Sequence, residues 1–210
     1  MADFPPGFFD RIDESPDALF YALPRFVVHI DDATIAALTA WYGEVLRAGD
    51  EVLDLMSSWV SHLPAEKELA LGRVVGLGMN EAELAANPRL ASHDVRDLNE
   101  SAQLPYPDAS FDAVLCAVSI QYLVRPTRVF REAARVLRPG GRVAIATSSR
   151  CFPTKAIRAW HELPPQGRLS AIALYLEQAG GFEPAAVLDR SPPGADPHWI
   201  VTALRDAEKR

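Results

Sequence analysis

The segment LPYPDASFDAVLCAVSIQYL, residues 104–123, contains a continuous apolar run between polar and proline-containing flanks. Its central part, FDAVLCAVS (111–119), is apolar at odd and even positions alike, which predicts a strand covered on both faces. The following segment, PTRVFREAARVL (126–137), has its apolar residues at helical spacing. A doubly covered strand followed by an amphipathic helix is typical of a parallel sheet between two layers of helices.

The same alternation continues on both sides of this segment. The predicted strands are EVLDLM (51–56), RVVGLG (73–78), LASHDV (90–95), RVAIATSS (142–149), FEPAAVLDRS (182–191) and HWIVTALR (198–205). The predicted helices are residues 33–46 with Asp32 as N-cap, 80–88 with Asn80 as N-cap, 126–137 ended by Pro139, 153–163 and 167–180, whereas 64–72 fits a helix or a loop. The sequence therefore predicts an α/β protein with a doubly wound, mostly parallel seven-stranded sheet and an antiparallel C-terminal strand. We expect one domain over residues 1–210, with residues 1–31 as an N-terminal cap.

Composition and charge exclude several classes of function. The chain has 210 residues and a net charge of −7, without the clustered Lys and Arg that nucleic acid requires. Its apolar runs are too short to cross a bilayer, and its start lacks the features of a secretion signal. The five histidines and two cysteines show no metal-ligand spacing. We expect a cytoplasmic protein with a small-molecule substrate, no metal, and Cys116 and Cys151 as reduced thiols; its oligomeric state is left open.

Four segments of the chain resemble a known family. LPYPDASFDAV (104–114) and RVLRPGGRV (135–143), together with VLDL (52–55) and VVGLGMNEAEL (74–84), resemble the strand motifs of class I S-adenosylmethionine-dependent methyltransferases. The resemblance covers residues 52–147. It implies a Rossmann-like methyltransferase fold, S-adenosyl-L-methionine as cofactor, and methyl transfer to a small molecule.

The chain departs from the family at two cofactor motifs. The family's first loop reads Asp-x-Gly-x-Gly-x-Gly, and Met56, Ser58 and Val60 stand in the glycine positions here. The family's second strand ends in an acid that holds the ribose, and Gly78 stands in its place. Two hypotheses follow: a rebuilt cofactor loop in a working enzyme, or a non-catalytic binding or regulatory protein that kept the fold.

The rebuilt-loop hypothesis assigns each part of the cofactor to residues at the carboxyl ends of the strands. Asp54 would reach the cofactor ammonium or accept from loop amides, and the Ser57 and Ser58 hydroxyls would donate to its carboxylate. Gly78 would admit the ribose and Asn80 would bond its hydroxyls, with Met79 against the adenine. The resemblance implies an acid after the third strand for the adenine amino group. The full predicted cofactor set is Asp54, Met56, Ser57, Ser58, Gly78, Met79, Asn80, Asp97 with Asp94 as second choice, Leu98 and Arg25.

The acceptor is expected near the fourth and fifth strands and under the N-terminal segment. Ser119, Gln121 and Tyr122 follow the fourth strand, where the family's loop faces the substrate, although Tyr122 also fits simple packing. Cys151 fits either a thiol activated by Arg150 and Lys155 or a small apolar filler. Residues 13–31 combine aromatic and polar side chains, and we expect them to form a lid in which Arg25 grips a carboxylate. If the acceptor carries a proton, the candidate bases are His29, Tyr21 and His62.

Overall fold

The structure is a computed structural model that describes residues 4–207. It confirms the predicted fold class: the seven strands form one sheet in the order β3-β2-β1-β4-β5-β7-β6, and all neighbouring pairs are parallel except the two that involve β7. The strands are β1 Val52–Ser57, β2 Val74–Gly78, β3 Ser92–Val95, β4 Phe111–Ala117, β5 Leu137–Thr147, β6 Ala186–Asp189 and β7 Trp199–Leu204. The helices are α1 Asp17–Phe20, α2 Asp32–Val45, α3 Glu81–Ala85, α4 Pro126–Val136, α5 Arg158–Glu162 and α6 Pro165–Ala179.

Two apolar cores lie on opposite faces of the sheet, because side chains alternate along each central strand. On β4, Val114 and Cys116 join one core, whereas Ala113 and Leu115 join the other. The first core includes the buried faces of α4, α5 and α6, and the second is covered by α2. This arrangement fixes the sheet between helices and leaves the carboxyl ends of β1, β2 and β4 as a shared edge. No helix in residues 4–207 is long and apolar enough to cross a membrane.

Several element boundaries differ from the sequence prediction, among them the start of α2, the end of α4 and the connection from β1 to β2. Helix α2 is capped by Asp31 rather than Asp32, because the Asp31 side chain accepts a hydrogen bond from the Thr34 backbone N–H at 2.8 Å. Helix α4 ends at Val136, before Pro139, and Gly140 lies within the irregular first half of β5. Within the described chain no helix connects β1 to β2, since residues 58–73 form turns and irregular structure. The loop after β1 therefore offers side chains, and not a helix N-terminus, to a ligand.

Candidate functional site

A large cavity lies at the carboxyl ends of the strands, under residues 4–31, which we call the N-terminal segment. The space between its walls measures about 1180 Å³, including a part that is open to solvent. Ligand sites of proteins have volumes of this order, and sheets of this type bind ligands at this edge. The cavity is therefore the candidate site.

Most of the predicted site residues line this one cavity. The structure brings together Tyr21, Arg25, His29, Asp54, Met56, Ser57, Ser58, His62, Gly78, Met79, Asn80, Asp97, Leu98, Ser119 and Tyr122. Two predicted substrate residues, Gln121 and Cys151, do not line it.

Packing explains why Gln121 and Cys151 lie elsewhere. The Gln121 side chain is buried and its amide donates to the carbonyls of Val118 and Arg150 at 3.0 and 3.2 Å. Cys151 packs against the apolar core that contains α4 to α6, and burial raises the pKa of its thiol. The two cations expected to activate this thiol pair with aspartates, Arg150 with Asp196 and Lys155 with Asp17. Cys151 thus behaves as a small apolar filler, the second of the two interpretations.

Asp54 is the buried centre of the loop after β1. The residue is 4% exposed, and its Oδ2 accepts hydrogen bonds from the hydroxyls of Ser57 and Ser61, both at 2.6 Å. Burial raises the pKa of Asp54 to about 6, and the two hydroxyls oppose this rise without cancelling it. Among the described residues no Lys, Arg or His forms a salt bridge with Asp54. A buried carboxyl without a cationic partner among residues 4–207 suits a ligand that brings its own positive charge.

The backbone of the site is held in a conformation that side chains rarely adopt. Met56, His62 and Val118 have φ values of 59°, 53° and 51°, and all three residues line the cavity. This left-handed region is most costly for a β-branched residue such as Val118, and such strain concentrates at functional sites. Met56 occupies a glycine position of the resembled loop, and its positive φ is one that glycine adopts without strain.

The end of β2 is closed to a larger residue. A Cβ atom at Gly78 would collide with the backbone carbonyl oxygen of Ser57. The next polar residue, Asn80, caps α3 by accepting from the Glu83 N–H at 3.1 Å, and its amide donates to the Tyr21 carbonyl at 2.9 Å. The predicted cap is confirmed, but both ends of the Asn80 amide already have partners. Its predicted role as a ribose ligand stays a prediction, because the Asn80 amide already donates to the Tyr21 carbonyl.

Glu83 brings a carboxylate into the cavity that the sequence analysis did not single out. The residue is 8% exposed and lines the cavity. Its Oε2 accepts from the Ser58 hydroxyl at 2.6 Å, and its Oε1 accepts from the Arg25 backbone N–H at 2.7 Å. The serine hydroxyls predicted to grip a cofactor carboxylate therefore donate to two acids of the chain itself, Ser57 to Asp54 and Ser58 to Glu83.

The loop after β3 distinguishes the two aspartates proposed for the adenine. Asp97 lines the cavity, and its Oδ1 accepts from the backbone N–H of Asn99 at 2.7 Å. Asp94 lies on β3 outside the cavity lining and accepts from the Tyr106 hydroxyl at 2.9 Å. The structure thus favours Asp97, with Leu98 beside it, over Asp94.

The N-terminal segment crosses the cavity and is anchored on both sides. Beyond the contacts at Asn80 and Glu83, the indole N–H of Trp59 donates to the Val27 carbonyl at 3.0 Å. Arg25 lies over the Phe20 ring, 4.5 Å from the guanidinium carbon to the ring centroid, and donates to the Phe20 carbonyl at 2.7 Å. Three polar residues of the segment, Tyr21, Arg25 and His29, line the cavity.

A buried ionic network fixes the start of this segment. Asp17 receives two hydrogen bonds from Arg11, at 2.7 and 2.9 Å, and one from Asn99 at 2.8 Å. The Nζ of Lys155, which is fully buried, lies 3.1 Å from Asp17 and donates to the Ser15 carbonyl at 2.6 Å. Burial alone would raise the pKa of Asp17, but the bonds from Asn99, Arg11 and Lys155 outweigh it and lower the pKa. The network ties the N-terminal segment to the loops after β3 and β5.

The three candidate bases differ in their protonation. Burial lowers the pKa of His62 to about 4, assisted by His29, and the His62 Nδ1 is buried without a hydrogen-bond partner in the described part of the chain. The ring of His29 lies 4.9 Å from that of Phe152, and partial burial lowers its pKa although much of the residue is exposed. Burial raises the pKa of Tyr21 far above its ordinary value. At neutral pH the histidines are thus uncharged acceptors, whereas Tyr21 keeps its proton.

Comparison with known proteins relates part of the chain to a family. The methyltransferase domain family matches residues 58–145. Over 108 residues the chain is 39% identical to 27-O-demethylrifamycin SV methyltransferase of Amycolatopsis mediterranei (strain S699), covering 48% of this chain and 39% of that protein. Over 116 residues it is 33% identical to the chloroplastic 2-phytyl-1,4-beta-naphthoquinone methyltransferase of Arabidopsis thaliana, covering 50% of this chain and 44% of that protein. Residues 58–145, which are 88 of the 210 residues, are thus similar to the methyltransferase domain family. The chain spans less than half the length of these two relatives.

The fold agrees with that of a solved methyltransferase. Phosphoethanolamine N-methyltransferase 2 of Haemonchus contortus, solved in complex with S-adenosyl-L-methionine, superposes with a TM-score of 0.58 at 16% identity. The match covers 83% of this chain and 52% of that chain. At this identity the likeness concerns the fold alone.

The residues of the cavity fit the family's cofactor at its cationic and sugar portions. Asp54 provides a buried acid without a cationic partner among the described residues, which suits the ammonium of a methionine tail. The bare backbone at Gly78 lies in the cavity wall, where a side chain would collide with Ser57. Glu83 offers a second buried carboxylate in the cavity wall, which suits the hydroxyl donors of a ribose.

Restoring the family's acid at position 78 is expected to destabilise the protein. Gly78→Asp forces a Cβ against the Ser57 carbonyl, so we expect a loss of about 1–3 kcal/mol or more in the free energy of unfolding. Gly43→Ala in α2 is the matched control, because its Cβ would meet only Pro64 at 3.7 Å; it should change stability by at most about 1 kcal/mol. Urea unfolding measures both, and an unchanged stability of Gly78→Asp would contradict the close packing described here.

Several site residues were missed in the sequence analysis. Glu83, Asp17, Asn99 and Phe152 all line the cavity. For Glu83 a signal existed, since Asn80-x-x-Glu83 has the spacing of a capping box. That pattern predicts a local bond to the helix N-terminus, whereas the observed bonds lead to Ser58 and Arg25. For Asp17 and Asn99 no local pattern indicated a contact across 82 residues of sequence.

Proposed function

We propose that the protein is a methyltransferase that uses S-adenosyl-L-methionine to methylate a small molecule. The observation that carries the proposal is the buried Asp54 carboxyl. It lines a cavity at the edge of the sheet where such folds bind ligands, and it accepts hydrogen bonds from the hydroxyls of Ser57 and Ser61. The named relatives are methyltransferases for small molecules, and they support the same reaction class. The alternative, a non-catalytic protein that kept the fold, has no comparable observation in its favour.

In this proposal the chain mainly binds and orients. S-adenosylmethionine, when bound, supplies an electrophilic methyl group. Asp54 binds the ammonium of the methionine portion, and Ser57 and Ser61 hold the Asp54 carboxylate in place. Arg25 is the candidate for the carboxylate of the same portion, and Asp97 with Met79 and Leu98 is the candidate set for the adenine. In-line transfer gains most from holding donor and acceptor in a near-attack geometry.

Glu83 replaces the missing acid of β2 as the proposed ribose ligand. Each of its oxygens accepts one described hydrogen bond, and a carboxylate oxygen can accept a second. Asn80, the residue predicted from sequence for this role, directs its amide to the backbone of the N-terminal segment instead. Asn80 then contributes by holding that segment over the sugar.

A base is needed only for an acceptor that carries a proton. His29 and His62 are uncharged at neutral pH because burial lowers the pKa of each, so either one can accept a proton from the acceptor. Tyr21 is less suited, since its raised pKa keeps the phenol protonated. Ser119 and Tyr122 line the acceptor side of the cavity, where Tyr122 accepts from the Phe152 N–H at 2.8 Å.

The proposal includes a cytoplasmic protein with no nucleic-acid or membrane partner. The net charge of −7 and the absence of a basic cluster in the sequence support the first exclusion. Buried Cys116, whose pKa burial raises to about 12, supports a thiol kept reduced and unreactive.

Calorimetry with S-adenosylhomocysteine tests both the function and the Glu83 assignment. We expect the parent to bind, and Glu83→Gln to bind about tenfold or more weakly, because hydrogen bonds to a charged group contribute roughly 1.5–3 kcal/mol. Glu81→Gln is the matched control on the same helix; its carboxylate is exposed and pairs with His93, so affinity should stay at the parent value. For the 2′-deoxy analogue of S-adenosylhomocysteine, the difference in affinity between Glu83→Gln and the parent should be smaller, because this analogue lacks one of the ribose hydroxyls.

The outcomes separate the two claims. If the parent binds neither S-adenosylmethionine nor S-adenosylhomocysteine, the methyltransferase proposal is wrong. If the parent binds S-adenosylhomocysteine, but Glu83→Gln binds it and its 2′-deoxy analogue as tightly as the parent does, only the assignment of Glu83 to the ribose is wrong.

A further inference from the structure

Four apolar side chains form a rim at the mouth of the cavity. Phe26, Val27 and Val28 are 53%, 53% and 44% exposed, and Val27 and Val28 also line the cavity. The Phe26 ring lies 6.3 Å from the ring of Trp59, which lines the cavity as well and donates to the Val27 carbonyl. We call Phe26, Val27, Val28 and Trp59 the apolar rim. Its surface is continuous with the cavity wall.

The buried part of the cavity carries two acids beside apolar residues such as Leu77. Asp54 and Glu83 are 4% and 8% exposed, and the Ser57 and Ser58 hydroxyls point at them. In the proposed function these two acids bind the cofactor, so the acceptor meets the polar side chains of His29, His62 and Ser119, which also line the cavity. A molecule that matches these side chains and the apolar rim has a polar end and an apolar end.

We infer that the methyl acceptor is an amphiphile whose polar reacting group enters the cavity and whose apolar chain leaves it across the apolar rim. The inference rests on the proposed function for the identity of the reaction, but not for the chain-binding surface. Adjacent exposed apolar side chains on a soluble protein mark binding grooves, and burying them under a hydrocarbon chain removes apolar area from water.

The size of the rim favours a ligand chain over a second copy of the protein. A stable protein interface buries about 800 Å² on each partner. Four side chains that are already partly covered provide far less than this, since even a whole Phe or Trp buries only about 150–250 Å². Ile12, Leu19 and Leu23 are also exposed on the N-terminal segment, but they do not line the cavity. They make the second copy an alternative that the test must address.

A homologous series of 4-alkylphenols, from methyl to octyl, tests the inference by calorimetry on the full chain saturated with S-adenosylhomocysteine. Each has a polar hydroxyl and a chain of defined length. We expect affinity to rise by up to about fourfold per methylene in the parent, because one buried methylene contributes about 0.8 kcal/mol. In Phe26→Ser/Val27→Ser this gain should be largely lost, while the affinity for 4-methylphenol stays near the parent value.

The matched control is Leu23→Ser/Val187→Ser, which removes two exposed apolar side chains outside the cavity lining. It should keep the full gain with chain length. An equal gain in the rim variant and the parent, or no gain in the parent, overturns the inference. Sedimentation velocity gives a further decisive outcome: a dimer of the parent that the rim variant dissociates would assign the rim to a second copy. If the parent does not bind S-adenosylhomocysteine, the series is run without it, so failure of the proposed function is seen separately.

Discussion

Replacing Asp54 with asparagine is expected to lower the affinity for S-adenosylhomocysteine by about a hundredfold at pH 8, as measured by calorimetry. Asp54 is buried, and it accepts hydrogen bonds from the uncharged hydroxyls of Ser57 and Ser61. A bound ammonium would therefore be its main cationic partner. Removing one member of a buried ion pair costs roughly 3–5 kcal/mol, which corresponds to a factor of about a hundred or more. The asparagine oxygen can still accept from both serines, so the loop should keep its shape.

The same variant should be more stable than the parent at alkaline pH. The pKa of Asp54 in the folded state is about 6, above its ordinary value of 3.8. A group with a raised folded pKa contributes stability that is fully present below the unfolded pKa and is lost as the pH rises through the folded pKa. Ionising Asp54 therefore costs the folded state roughly 3 kcal/mol between pH 4 and pH 8. The Asp54→Asn variant is spared this cost, so the difference between variant and parent should grow by that amount.

Only the difference between the two proteins isolates Asp54. His29, His62 and His198 have lowered pKa values, mainly through burial, so they destabilise the fold as the pH falls from 6.5 toward 4. This loss of stability at low pH opposes the effect of Asp54, but it is the same in the parent and in the variant. Asp94→Asn is the control for affinity, because Asp94 bonds Tyr106 outside the cavity lining. Equal affinity of Asp54→Asn and the parent, with a pH-independent stability difference, would contradict the role given to Asp54.

Replacing Lys155 with methionine is expected to loosen the N-terminal segment and lower the melting temperature on the order of 10 °C. The Lys155 ammonium is fully buried and lies 3.1 Å from Asp17 and 3.3 Å from Asp13. Removing it leaves the buried Asp17 and the partly exposed Asp13 with one partner fewer, and breaking a buried ion pair typically costs roughly 3–5 kcal/mol. For a chain of this size, each kcal/mol shifts the melting temperature by about 2–4 °C. Trypsin cleavage at Arg11 and Arg25 should become faster, and S-adenosylhomocysteine should protect these sites less than in the parent.

Lys67→Met is the matched control, since Lys67 is exposed in the loop between β1 and β2. It should leave the melting temperature and the cleavage of the N-terminal segment unchanged. If Lys155→Met behaves like this control, residues 13–31 are not held over the cavity by the network, and the lid proposal would be wrong.

Local patterns were sufficient for most of the fold. The apolar run 111–119 and the helical spacing of Val129, Phe130 and Ala133 predict β4 and α4, because burial on one or both faces determines these elements directly. The end of α4 was not predictable in the same way. Pairing of β5 with β4 begins at Leu137, so α4 has already ended at Val136 and Gly140 lies within the strand.

The site was predicted in position more than in detail. Strand ends place Asp54, Ser58 and Asn80 at one edge, which the sequence predicts through the fold. What each side chain bonds depends on groups far along the chain: Asn80 reaches Tyr21, Glu83 reaches Arg25, and Lys155 reaches Asp17. No local periodicity carries such information, because these contacts follow from the path of the N-terminal segment over the sheet.

A crystal structure of the protein with S-adenosylhomocysteine would show directly which residues hold the cofactor. We expect the ligand in the cavity beneath residues 13–31, with its ammonium within hydrogen-bonding distance of Asp54, its ribose hydroxyls on Glu83, and its adenine beside Met79 and Leu98. A ligand bound elsewhere, or bound here with Asp54 and Glu83 both without contact to it, would contradict the roles proposed for these two acids.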